Sequence, residues 1–377
     1  MYDWIVVGAG FTGATLAERI ASVRNERVLV IDRRDHIAGN AHDAVNEAGI
    51  LIHKYGPHIF HTNSQPIWDY LQRFSQWRPY FHKVLAVIDG KEVPIPFNLK
   101  TVEAVFPTEL AQRYIDLLLE RYAFGERVPI LKMLQESDQE LKALAAFIYE
   151  KLFRNYTFKQ WGLYPEQLSP SVTARVPIVI SRDNRYFQDQ YQAMPREGYT
   201  ALFERMLDHP NIKVMLNTNY EEIRRQFPDA RTVFTGPIDE FFGYSLGPLP
   251  YRSLRFVERT VNEETVLAAA SVNFPSDHDY TRITEFKYMT GQKSPRTTLV
   301  YEYPQQHVPG ESEPYYPIPR DETQVLLNRY LELAANRKDV IFCGRLGEYK
   351  YYNMDQAIGA ALAIFSKRIM GNMDEQS

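Results

Sequence analysis

A single cysteine, Cys343, stands in a chain of 377 residues, which excludes an internal disulfide and any cysteine-built metal cluster. Charge of neither sign dominates: 43 Lys and Arg against 47 Asp and Glu leave a formal net charge of -4. The basic residues are scattered, so nothing suggests a nucleic-acid or polybasic membrane partner. No apolar run reaches the ~18 residues of a membrane span, and no basic stretch precedes the first apolar run. Neither a span nor a signal peptide is therefore expected. Internal repeats and low-complexity tracts are missing too. With the lone thiol, these absences point to a cytoplasmic globular protein of two or three domains or subdomains.

Aromatic residues, by contrast, are abundant: 25 Tyr, 21 Phe and 4 Trp. A phenol hydroxyl needs a partner when buried, so many tyrosines suit wet, polar pockets as well as a core.

The N-terminal stretch "WIVVGAGFTGATLAERIA" reads as buried strand, glycine turn and helix, and "RVLVIDRR" follows as a parallel strand. Gly8, Gly10 and Gly13 have distinct tasks. The first permits the tight turn, the second lets a pyrophosphate touch the backbone, and the third lets helix and strand pack closely. The helix N-terminus offers free N–H groups to the phosphates. Asp32 ends the second strand about 20 residues on, placed for a ribose hydroxyl, and argues against a 2′-phosphate and hence NADP. The glycine-bearing continuation "DRRDHIAGNA", with Gly39 and Asn40, and a C-terminal strand leading through Gly344-Arg345 into a helix favour FAD over NAD.

Between these ends, residues 41–98 break into short strands and turns. Apolar spacing predicts helices over 99–160, a Pro- and Gly-rich loop over 161–177, and antiparallel sheet over 172–200 and 251–303. Strands near 211–216 and 231–234 return to the first domain. A helix over 322–337, a strand over 339–343 and a helix over 354–370 close the chain.

The blocks "GAGFTGATLAERIA", "IHKYGPHIFHTN", "YTFKQWG", "RYFQDQYQAMPREGYT", "TGPIDEFF", "YRSLRF", "YTRITEFK", "EPYYPIP" and "GRLGEYKYYNMDQAI" resemble, in order over nearly the whole chain, the bacterial type of UDP-galactopyranose mutase. The resemblance implies an α/β fold: an FAD-binding Rossmann-like domain (1–75, 211–245 and 338–377), an inserted helical bundle (99–160), and a twisted antiparallel sheet domain (76–98, 161–210 and 246–337) with a mobile substrate loop near 161–180. It implies a homodimer and a UDP-sugar substrate. The implied reaction interconverts UDP-galactopyranose and UDP-galactofuranose. Reduced FAD attacks the anomeric carbon through N5, displaces UDP and passes through a flavin–sugar iminium.

Residue by residue, the resemblance gives Arg175 and Arg282 as the diphosphate clamp, a task suited to guanidinium forks. Phe153, Tyr156, Thr157 and Tyr186 match the uridine side. Trp161 matches a residue of loop closure, and Tyr316, Tyr351 and Asn353 match positions around phosphates, sugar and flavin. His58 and Ile59 fall in a loop against the isoalloxazine, His61 near the sugar, and His82 near the sugar nucleotide. Arg33, Gly236, Arg345 and Met354 join the cofactor positions. Asn353 stands where many members have Asp. No Asp, Glu or Cys clusters with the two histidines of "HIFH", so no metal is expected. The motifs show no dedicated acid–base pair. Two other readings stay open: a mutase for UDP-N-acetylgalactosamine or a dTDP-fucose type of sugar, and a flavin amine oxidase-like oxidoreductase. A non-catalytic flavin or nucleotide sensor is a third.

Overall fold

The computed structural model describes residues 1–168, 176–318 and 320–371. Strand Trp4–Val7 is apolar throughout and buried, as a strand covered on both faces must be. It is the centre of a five-stranded, all-parallel sheet. Its neighbours are Val28–Ile31 and Arg231–Phe234, with Ile212–Met215 and Val340–Phe342 outside them. Five strands from three distant parts of the chain thus make the Rossmann-like layer. Helix Phe11–Arg24 starts directly after the first strand, and its Ala, Leu and Ile residues enter the main core.

The helical region opens where Asn98 accepts from the backbone N–H groups of Lys100 and Thr101, fixing the start of Leu99–Val105. Helices Thr108–Arg121 and Gln139–Ile148 bury Ile115, Leu118, Leu141, Leu144 and Ile148 in a separate core. A π-helical turn, Tyr149–Arg154, then leads into Asn155–Trp161. Such turns widen a helix locally and occur often at functional sites.

The largest sheet has seven strands in the order Tyr316–Pro317, Tyr251–Val261, Thr297–Gln306, Arg282–Glu285, Ser271–Asn273, Val84–Ile88, Lys91–Ile95. All its ladders are antiparallel except Ser271–Asn273 with Val84–Ile88, which is parallel. Three expectations need correction. In 172–200 the described strands are Ile178–Val179 and Tyr191–Pro195, and neither joins the large sheet. The first pairs with Arg127–Val128, the second with Phe60–Thr62 and Trp77–Pro79. A helix, Gln65–Gln72, stands inside the stretch expected to hold only strands and turns. Trp161 is the last residue of a helix, capped by Gly162 in the left-handed region, rather than a loop residue. Among the described residues no helix is long and apolar enough to cross a membrane.

Candidate active site

One cavity of about 1070 Å³ runs from the glycine loop to the seven-stranded sheet. At one end lie Gly8, Gly10, Gly13, Asp32, Arg33, Gly39 and Asn40. Here two glycine-bearing turns meet: a Cβ on Gly39 would come within 2.9 Å of the Gly10 Cα, and one on Gly13 would strike the Gly8 carbonyl. The close approach leaves a backbone cradle where side chains cannot intrude. Asp32 accepts from the backbone N–H of Ala9 at 2.9 Å and of Arg34 at 3.0 Å, so its carboxylate is held facing the first turn. Arg33 pairs with Glu240 and Glu313, and Arg34 pairs with Glu313 while lying 4.5 Å over the Tyr55 ring.

In its middle the cavity is lined by His58, Ile59, Gly236, Gly344, Arg345, Asn353 and Met354. His58 accepts no charge easily: burial, with His53 beside it, pushes its imidazole down to about 3. Asn353 caps the last helix, Met354–Ile364, and Gln356 reaches back to the Asn353 N–H at 2.9 Å. A helix N-terminus therefore points at the cavity. Tyr316 and Tyr351 stack at 5.2 Å with Arg345 over the Tyr316 ring at 5.4 Å, forming a flat wall at the mouth of that helix.

At the far end, one helical stripe supplies Phe153, Tyr156, Thr157, Gln160 and Trp161, spaced so that they share a face. The sheet supplies a cross-strand row: Ala86 opposes Asn273, Asn273 opposes Arg282, and Arg282 opposes Glu302. All four line the cavity. Arg282 donates to Asn273 Oδ1 at 3.1 Å and to the Tyr156 hydroxyl at 3.4 Å, and lies 3.8 Å from the Glu302 carboxylate. Burial would lower its pKa, but Glu302, Tyr156 and Tyr186 outweigh that and raise it. Burial pushes the Tyr186 phenol up to about 12 and, helped by Arg282 and His61, the His82 imidazole down to about 3. The walls are thus neutral rings around fixed cations.

Every sequence-predicted site residue within the described chain lines this one cavity; Arg175 lies outside the described residues. Sequence reasoning missed three groups. Arg252 is buried, 5.0 Å over the Trp161 ring, and its Nη2 has no hydrogen-bond partner among the described residues. Burial pushes it down to about 10. Glu302 is its neighbour and the counter-charge of Arg282. Both stand in strands whose alternation was visible, and Arg252 falls inside the quoted "YRSLRF". The third is Asp189, 2.9 Å from His61 Nδ1, a histidine–carboxylate contact that no motif in the sequence marks. Among the described residues no cluster of three or more metal-ligating side chains occurs.

The cavity joins a backbone cradle at one end to a row of cations and neutral rings at the other. A family model described as UDP-galactopyranose mutase matches residues 151–351, and one described as an NAD(P)-binding Rossmann-like domain matches residues 6–74. A Klebsiella pneumoniae protein named probable UDP-galactopyranose mutase is 36% identical over 363 residues, 95% of this chain and 92% of that protein. An Escherichia coli dTDP-fucopyranose mutase is 33% identical, covering 98% of this chain and 99% of that protein. A crystal structure of reduced UDP-galactopyranose mutase matches with a TM-score of 0.73 at 16% identity, over 98% of this chain and 94% of that one, which shows a shared fold. The chain belongs to the UDP-galactopyranose mutase family, whose members are isomerases.

Proposed function

We propose that this chain interconverts UDP-galactopyranose and UDP-galactofuranose, with FAD held in its reduced state. The supporting observation is the continuity of one cavity from a backbone cradle at a helix N-terminus to a row of buried arginine and neutral aromatic rings. The cradle fits the FAD pyrophosphate. Asp32 would take the ribose, and the Gly344-Arg345 turn with the N-terminus of the last helix would take the flavin end. Reduced flavin, when bound, supplies a nucleophilic nitrogen for the anomeric carbon and leaves no net redox change.

The chain's own residues do the rest. Arg282, with Arg252 behind it, binds the diphosphate and stabilises it as a leaving group. Arg175 belongs to the same clamp by family resemblance. Tyr156, Phe153 and Tyr186 wall the uridine side, and the Tyr316–Tyr351 stack walls the sugar. Trp161, against Arg252, covers the diphosphate and excludes water while UDP is detached. The same reading carries the expectation of a homodimer acting in the cytoplasm.

The test is turnover of UDP-galactofuranose to UDP-galactopyranose, followed by chromatography. Conversion should be absent in the oxidised enzyme and appear after dithionite, with no reductant consumed per turnover. Full activity of oxidised enzyme would refute the proposal. The Escherichia coli relative favours one alternative, a dTDP-linked deoxy sugar. Parallel kcat/KM values for the UDP- and dTDP-sugars decide between them.

A further inference from the structure

His61 and Asp189 are 128 residues apart in sequence and meet at 2.9 Å across the cavity wall. Their meeting is built, not incidental. Strand Phe60–Thr62 pairs with Tyr191–Pro195, with His61 opposite Gln192. The Gln192 side chain donates to the Asp189 carbonyl at 2.8 Å, which fixes the loop that presents the carboxylate. Asp189 Oδ1 accepts from Asn63 Nδ2 at 2.9 Å, so each carboxylate oxygen has a donor. The His61 ring stacks on Phe187 at 3.7 Å and 14°, which sets its plane.

Three further facts locate the ring. Thr62, next to His61, donates to Asp355 in the first turn of the last helix, at the expected flavin end. On the other side, Phe187 stacks toward His82, which feels both His61 and Arg282. His61 therefore lies between the last helix and the arginine row, where a sugar joining flavin to diphosphate would pass. The His61 hydrogen bond holds the Asp189 carboxyl below its usual range, so the group is a carboxylate and can only accept. The proton of the His61–Asp189 bond then belongs to Nδ1.

We propose that Asp189 is a positioning residue that fixes the Nδ1–H form of His61, leaving Nε2 to carry protons between the sugar oxygens during ring contraction. This rests on the function proposed above. Contraction from a six- to a five-membered ring breaks the bond from the anomeric carbon to O5 and makes one to O4. The pair of the broken bond stays on O5, which takes a proton from protonated Nε2. Reduced flavin, when bound, would supply the electrons that meet the deficit at carbon. Neutral Nε2 then takes the O4 proton as an O4 lone pair forms the new bond to carbon. One proton is given and one recovered, so His61 ends as it began. Imidazole is the side chain able to do both near neutral pH. The charged or titratable groups around it are Asp189, His82, Asp355 and, through Asp189, Arg127.

The test uses holoenzyme with ¹⁵N-labelled histidine. Long-range ¹⁵N–¹H correlation, with His61 assigned by its loss in His61→Gln, should show the proton on Nδ1 and move it toward Nε2 in Asp189→Asn. In the reduced enzyme, kcat should fall about 100-fold in His61→Gln and about tenfold in Asp189→Asn, as for loss of a general acid–base and of its orienter. UDP affinity should stay within about twofold, since neither group binds the diphosphate. Asp189→Glu should recover most of kcat. The pH dependence of kcat should lose one limb in His61→Gln. A wild-type His61 protonated on Nε2 alone, or a His61→Gln kcat within about threefold of wild type, overturns the proposal. The tautomer is read without substrate, so it decides the Asp189–His61 pairing even where the UDP-galactose assay fails.

Discussion

Replacing Arg282 by Ala has two effects that the structure separates. The first is on ligand binding. A hydrogen bond to a charged group contributes about 1.5–3 kcal/mol, so losing two to a diphosphate weakens UDP by roughly 10²–10⁴-fold. The second is on the fold. Arg282 lies 3.8 Å from Glu302, whose side chain is only 7% exposed. At an effective dielectric of about 20 that pair attracts by about 4 kcal/mol. Removing one partner of a buried pair costs about 3–5 kcal/mol. Arg252 still faces Glu302, and Thr281 still donates to it at 3.2 Å, so the lower end applies. Arg282→Ala should therefore lose both UDP affinity and melting temperature. The double variant Arg282→Ala/Glu302→Gln removes the stranded carboxylate. It should regain part of the melting temperature, the remainder staying lost because buried Arg252 then lacks its counter-charge, and none of the UDP affinity, measured by calorimetric titration of the reduced enzyme. If the double variant binds UDP within about threefold of wild type, Arg282 is a structural partner of Glu302 and the diphosphate lies elsewhere.

Other outcomes follow from the same geometry. The purified protein should be yellow, and acid precipitation should release FAD into the supernatant. Its one thiol, Cys343, is buried, absent from the cavity wall and pushed well up by burial, so flavin left in the pellet would contradict the site. Trp161 fluorescence should change on adding UDP, because the Arg252 guanidinium over its ring would be drawn toward the anion; a flat titration at saturation would count against that pairing. Stability should fall with acid. Burial pushes His53, His58 and His82 down to about 3 from an ordinary 6.5, so the unfolded chain binds more protons between those values. From pH 6.5 to 5.5 the three together should remove on the order of 3 kcal/mol, read as a falling melting temperature; an unchanged one would show that these rings titrate freely.

The parts of this fold legible in the sequence are those written locally. The glycine turn and its flanking strand and helix follow from spacing within a short piece of chain, whereas Phe153, Tyr156, Thr157 and Trp161 came from the family resemblance, and it is the helix that puts them on one face. What was missed depends on register. The row Asn273–Arg282–Glu302 exists because three strands pair with one particular alignment, and a shift of one residue would turn the whole set to the other face. The parallel ladder between Ser271–Asn273 and Val84–Ile88 joins segments nearly 190 residues apart. The alternation near 191–195 was read as part of the large sheet, yet period two says only that a strand forms, not which sheet it joins. The pairing of Asp189 with His61 escaped notice for the same reason, since the two lie 128 residues apart and Asp189 has no local partner that marks it.

Among the described residues the arginine row is electrostatically incomplete, which is consistent with anion binding. Arg252 is buried with one Nη2 unpartnered among the described residues, and Glu302 is shared between it and Arg282. A buried donor without a partner costs about 1–3 kcal/mol. Nearby rings that could carry charge are held neutral by burial, as the lowered His82 and raised Tyr186 show. An arriving dianion meets two cations and one carboxylate in a low-dielectric pocket, so the net positive charge lies where a diphosphate would complete it. Burying a hydrophobic pair in place of Arg252 and Glu302 would give a more stable chain and no anion site, the conflict between stability and function expected where a ligand supplies the missing partner.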